Sequence, residues 1–176
     1  MDRTVMSRTV LVAAITLLTI AQVQGAAFIK FEGVEGESTD AQHRGWSDLI
    51  SYSLDLGPSS DPSHASVRRG QASSWQGEFV VTKHVDKASP FLMMDSCPSE
   101  PIPTVLVNIA KDAGEERVYL SYELKNVLVS SYQVNGSSQQ HPTEQISLNF
   151  EEIKVTYSER GADGSVVGEH VGMCVA

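Results

Sequence analysis

The sequence is short of the residues from which catalytic and nucleic-acid sites are made. It has two cysteines, Cys97 and Cys174, too far apart for a CxxC pair, so it holds no zinc or thiol-redox motif. Its histidines, His43, His64, His84, His141 and His170, stand in no HExxH or similar ligand spacing. No GxSxG elbow, P-loop or GxGxxG is present. Positive charge is also scarce: 13 Lys and Arg face 22 Asp and Glu, for a net charge of −9. Arg68-Arg69 is the sole adjacent basic pair, so no basic stripe exists to follow a phosphate backbone, and nucleic-acid binding is excluded. The acidity is read as a solubility property.

Two weak polar clusters remain. His84-Val85-Asp86 puts two polar side chains on one strand face, which would make one edge of a metal site; a surface hydrogen bond explains it as well. Glu151-Glu152 are adjacent, and adjacent strand residues point to opposite faces, so they make a poor acid–base pair. Gly33-Val34-Glu35-Gly36 reads as an ordinary turn. No catalytic, cofactor-binding or metal-ligating residue is assigned, no cofactor is expected, and the chain is not read as an enzyme.

The length of 176 residues suits one domain with a real core, and the 41% hydrophobic content is that of a globular chain. The N-terminus has its own order. Arg3 and Arg8 precede an apolar run, Val10 to Ile20, and small residues follow at Val23-Gln24-Gly25. This is the pattern of a secretory signal peptide over 1–25, leaving a mature domain of 26–176. An uncleaved anchor is the alternative, for which the run is short. The mature chain is expected to be periplasmic or extracellular, with no stable membrane insertion after cleavage. Export permits a Cys97–Cys174 disulfide, which in the chain-entropy account would stabilise by roughly 4–5 kcal/mol. Two separate thiols, one of them buried, is the other reading.

Period-2 patterns dominate the rest. Phe28 to Phe31 is a short strand. Trp46, Ile50, Tyr52, Leu54 and Leu56 share one parity, and Gly57-Pro58 ends that strand. Residues 57–74 form a long polar loop. Phe79, Val81 and Val85 resume a strand, with Lys83 between them. One helix is predicted, with Ser89 at the N-cap, Pro90 in the first turn, an apolar Phe91-Leu92-Met93-Met94 face and a stop at Pro98. The Met pair is expected to fill core. Val105, Val107 and Ile109 alternate, and a turn follows at 112–115. Val118, Leu120, Tyr122 and Leu124 lie on even positions, but Val127 and Val129 on odd ones. Ile146, Leu148 and Phe150 are even, and Ile153, Val155 and Tyr157 odd. A change of parity means a bend or bulge, so two hairpin partners turning a corner together would serve two sheets of a barrel. A turn at 161–164 leads to a final strand over 165–173.

Four segments together resemble the haemolysin-coregulated protein (Hcp) family of type VI secretion: FIKFEGVEGES (28–38), FVVTKHVDKASPFLMMDSCPS (79–99), VYLSYELKNVLVSSYQVNG (118–136) and PTEQISLNFEEIKVTYSERGADGSVVG (142–168). The resemblance implies a mainly β fold, a compact β-barrel of two antiparallel sheets with one short α-helix. It implies homo-hexameric rings that stack into a tube, with sheath, spike and effector proteins of a type VI system as further partners. It places loop 57–74 where family members carry an extended loop that touches the adjacent ring. An exported Hcp-like binding or adhesion module is the alternative that the signal peptide supports. A secreted enzyme would need convergent polar groups that the sequence does not offer at readable spacing.

Overall fold

The computed structural model describes residues 25–58, 75–97, 100–111, 118–161 and 165–175. The signal-peptide reading of 1–25, apart from Gly25, lies outside the described residues, as do 59–74 of the long loop. Eight strands and one helix run β1 (Ala26–Phe31), β2 (Ser47–Pro58), β3 (Trp75–His84), α1 (Ser89–Asp95), β4 (Ile102–Ala110), β5 (Val118–Ser137), β6 (Gln140–Asn149), β7 (Glu152–Arg160) and β8 (Val166–Val175).

Every pairing is antiparallel. The strand order is β4-β1-β2-β3-β6-β5-β7-β8, with β4 also pairing with β5. That extra pairing closes β1, β2, β3, β6, β5 and β4 into a ring, which is the expected barrel; β7 and β8 extend it as a flap. Closure is partial: β1 meets β2 only at Phe28↔Asp48 and Ile29↔Ser47, so among the described strands β2 beyond Ile50 pairs with β3 alone and β5 beyond Val127 with β6 alone, each keeping one unpaired edge.

Two strands hold the sheets together. The first half of β5 pairs with β4 and β7, from Leu120↔Tyr157 to Lys125↔Glu152. Its second half pairs with β6, from Leu128↔Asn149 onward. The expected corner therefore exists. Its hinge is Asn126, whose φ of +49° turns the chain so that inward residues pass from Leu124 to Val127. Opposite it, the chain breaks at Phe150-Glu151, so the last long strand is two strands, one in each sheet. Asn126 Nδ2 donates to Glu151 Oε2 at 2.7 Å, and the Glu151 N–H to the Lys125 carbonyl at 3.1 Å, which locks the two bends to each other. A left-handed residue here is tolerable because Asn is among the few side chains that adopt it at low cost.

The core is Ile29, Phe31, Phe79, Val81, Leu92, Val105, Val107, Leu124, Val127, Ile146, Leu148 and Ile153, with their buried neighbours. Each large side chain removed from water contributes about 1.5–3 kcal/mol. Gly36 is needed for a close approach: a Cβ there would land on the Trp46 carbonyl.

Several expectations need correction. In β2 the shared parity holds for Tyr52 and Leu54 but not at the strand's start. A register shift between Leu49 and Ser51 turns Leu49 inward and leaves Ile50 52% exposed. Ser89 is not the N-cap; Ala88 is, without a side-chain bond, and Ser89 is buried inside the first turn. Ahead of the helix, Asp86 Oδ1 accepts the Ala88 N–H at 2.9 Å, and Ser89 Oγ accepts the Asp86 N–H at 2.9 Å. The Met pair does not fill core. Leu92 alone of its apolar run is buried, while Phe91, Met93 and Met94 are 58%, 53% and 64% exposed. A two-turn helix lying on a closed barrel buries one side chain per turn, and the rest face outward.

Candidate assembly surface

β8 pairs with β7 alone among the described strands. Its register pairs Ile153 with Cys174 and Val155 with Gly172. Because Ile153 and Val155 point toward the core, the even positions of β8 lie on the core-facing side of the flap. The odd positions, Val167, Glu169, Val171, Met173 and Val175, therefore lie on its outer face, and the four apolar ones are about 60% exposed. An antiparallel sheet with one face on the core normally turns polar residues outward. Here the outward row is apolar except at Glu169. On the other sheet Ile50 of β2 and Leu128 of β5 show the same inversion and are about half exposed, whereas Leu56 and Val134, exposed to a similar degree, share the inward parity of Leu54 and Tyr132. Apolar rows beside open strand edges mark surfaces that pair with another chain.

A charged cluster ties α1 to the barrel. Lys83 sits on the inward parity of β3, between Val81 and the loop, and is completely buried. Its ammonium lies 2.6 Å from Asp86 Oδ1 and 2.7 Å from Glu144 Oε1, and it donates to the His84 carbonyl at 3.1 Å. Glu144, also fully buried, accepts from the Tyr132 hydroxyl at 2.6 Å. Its Oε1 has no hydrogen-bond partner among the described residues, so it relies on the charge of Lys83. Asp86 Oδ2 accepts from the Ser47 hydroxyl at 2.6 Å. Burial pushes the Asp86 carboxyl up, but the hydrogen bonds from Lys83 and Ser47 prevail and hold it below the usual range. Burial, and then the bond to Glu144, push the Tyr132 phenol well above its ordinary value. The cluster joins β2, β3, β5, β6 and the loop into α1. Its charges are paired with one another inside the barrel, so it is scaffold.

The sequence's polar candidates separate. Asp86 turns in to Lys83, whereas His84 is exposed; both line one surface cleft, but the Asp86 carboxylate is committed to Lys83 and Ser47. His84 instead meets His141 of β6, with ring centroids 5.3 Å apart. Glu151 holds the corner through Asn126, so the adjacent glutamates belong to the bend. His43 is buried, stacked on Phe28 at 4.0 Å, with Nδ1 2.8 Å from Asp40 Oδ1 and Nε2 3.1 Å from the Asn108 amide. The His43 bond holds the Asp40 carboxyl below its ordinary range. Cys97 and Cys174 are free thiols and both exposed, so the disulfide reading and the buried-thiol reading both give way. No group of three or more His, Cys, Asp or Glu among the described residues is placed to hold a metal ion. No helix among them is long and apolar enough to cross a membrane. Sequence reasoning missed Lys83 and Glu144 as one buried pair, although both stand at inward parity within apolar alternations.

Residues 28–157 match the family described as "Type VI secretion system effector, Hcp". Among curated proteins, the chain is 35% identical over 143 residues to protein hcp1 of Pseudomonas aeruginosa, covering 80% of this chain and 88% of that one. Among solved structures, it superposes on Hcp1 from Salmonella typhimurium with a TM-score of 0.70 at 23% identity, covering 86% of this chain and 94% of that one. A type VI secretion system effector from Yersinia pestis superposes with a TM-score of 0.68 at 23% identity, covering 85% and 99%. Those two likenesses concern the fold.

Proposed function

Because this chain belongs to the Hcp family of type VI secretion components, we propose that it is a structural subunit that assembles with copies of itself into six-membered rings and stacks them as a tube. The observation that carries this reading is the outward, mostly apolar row of β8 beside an open strand edge over 166–175. A flap of this kind has one partner strand and offers the other edge, with its valines, to a neighbour. The unpaired edges of β2 and β5 would give the complementary surface for head-to-tail closure. Effector cargo would ride in the lumen. Sheath and spike proteins of the secretion machine would be further partners. Residues 1–25 are proposed to be a cleaved signal, with 26–176 as the Hcp-like domain, exported to the periplasm or beyond.

The test is the mass of the purified full-length product, as the host processes it, by native mass spectrometry, with negative-stain images of the same sample. A six-subunit mass with ring-shaped particles is the expected result. A stable monomer at high concentration overturns the ring. The signal-like N-terminus favours one second reading, an exported Hcp-like binding module outside any contractile machine. A monomer recovered from the periplasm would support that reading.

A further inference from the structure

Three neighbouring strands bring a polar row to the outer face of the β2-β3-β6 sheet. Leu49 pairs with Lys83, so Asp48 and His84 come next to each other as the strands continue in opposite directions. His84 pairs with Thr143, and His141 lies two residues further along β6 on the same face. Both imidazoles are exposed and in edge-to-face contact, with centroids 5.3 Å apart and planes at 77°. No hydrogen bond or ion pair engages either ring among the described residues. The two rings open on a cleft of about 340 Å³ that Glu37, Ser38, Asp48 and Asp86 also line. Asp86 is committed to Lys83 and Ser47, and Asp48 accepts from the Ser38 hydroxyl at 2.7 Å.

We infer that His84 and His141 form a two-imidazole site for a borderline divalent transition cation such as zinc. Imidazole is the commonest protein ligand for such ions. Two rings on adjacent strands, held by a fixed register, lose little freedom on chelating one ion. The carboxylates of Glu37 and Asp48 favour a cation in the cleft by their charge. They are not counted as ligands, because no three candidate donors in the described structure converge closely enough. Water completes the coordination shell, as in other open zinc sites. A hard cation such as calcium prefers an all-oxygen shell, so the site discriminates against it.

The experiment is a calorimetric titration of zinc chloride into the full-length protein carrying Cys97→Ser and Cys174→Ser, which removes the exposed thiols as competing ligands. The expected result is one ion per chain, with His84→Ala and His141→Ala each weakening binding at least about tenfold, a loss on the scale seen for perturbed zinc sites. Both rings are exposed, so these variants should keep the parent's circular dichroism and unfolding midpoint. Calcium chloride should give no heat. A parallel measurement needs no variant at the site: the imidazole NMR signals of His84 and His141, and not those of His43 or His170, should move with zinc. The inference is overturned if zinc produces no heat, if the double histidine variant binds as the parent does, or if the shifted signals belong to other histidines.

Discussion

Lys83 is the residue on which the joint between helix and barrel depends. Its ammonium sits between two carboxylates, one of them completely buried, with no water to screen the charge if the cation is lost. Replacing a buried charged pair wholesale with apolar side chains is often harmless, but removing one partner leaves an uncompensated ion. Lys83→Met should therefore lower the stability by about 3–5 kcal/mol, read as a fall in the urea midpoint. It should also change the pH dependence. Asp86 has a folded-state pKa below its unfolded value, so its contribution is present above the unfolded pKa, near 3.8, and is lost as pH falls through the lower, folded value. The parent should lose this part of its stability below about pH 4, as the unfolded carboxyl takes up its proton first. In Lys83→Met the main cause of the depression is gone, and the acid slope should flatten. An unchanged midpoint together with an unchanged slope would mean that the cluster carries no stability.

At the scale of elements, the corner shared by β5 and the β6–β7 pair decides the fold. Asn126 holds the left-handed conformation and bonds across to Glu151. Asn126→Val should cost about 1–2 kcal/mol for the backbone conformation alone, plus the lost bond to Glu151. A chain of this size loses about 2–4 °C of Tm per kcal/mol, so thermal unfolding should shift down by several degrees. Asn126→Gly keeps the conformation and loses only the bond, so its shift should be the smaller of the two. This corner was legible in the sequence, because a change of parity within each of two long apolar alternations has no other economical cause in a half-buried strand. The final strand was legible from the glycine-bounded turn at 161–164 that precedes it. The start of β2 was not, since a bulge at Ile50 leaves the composition of the strand unaltered while exchanging its faces. The outward side of α1 was not legible either. Phe91, Met93 and Met94 look like core until it is known that only one side of the helix meets the barrel. His84 and His141 are 57 residues apart in the chain, and only the β3–β6 register makes them neighbours.

For the whole molecule, the question is how an acidic chain of net charge −9 would associate with its own copies. Like-charged subunits repel, so assembly needs apolar surface concentrated where the copies meet, with the charge held elsewhere. The outer row of β8 supplies such a surface, and it lies on a flap outside the closed barrel, where a substitution leaves the core untouched. Val171→Asp combined with Met173→Asp should therefore separate folding from assembly. The unfolding midpoint should stay close to that of the parent, because both side chains are about 60% exposed in the isolated subunit. The six-subunit mass should give way to monomer, because each contact would bury two carboxylates without partners, once at every junction around a ring. Raising the salt should not restore the ring, since the cost is desolvation at the contact and not long-range repulsion. Recovery of rings by salt would locate the effect in the net charge. Rings that survive the double substitution would show that the subunits meet through a different face.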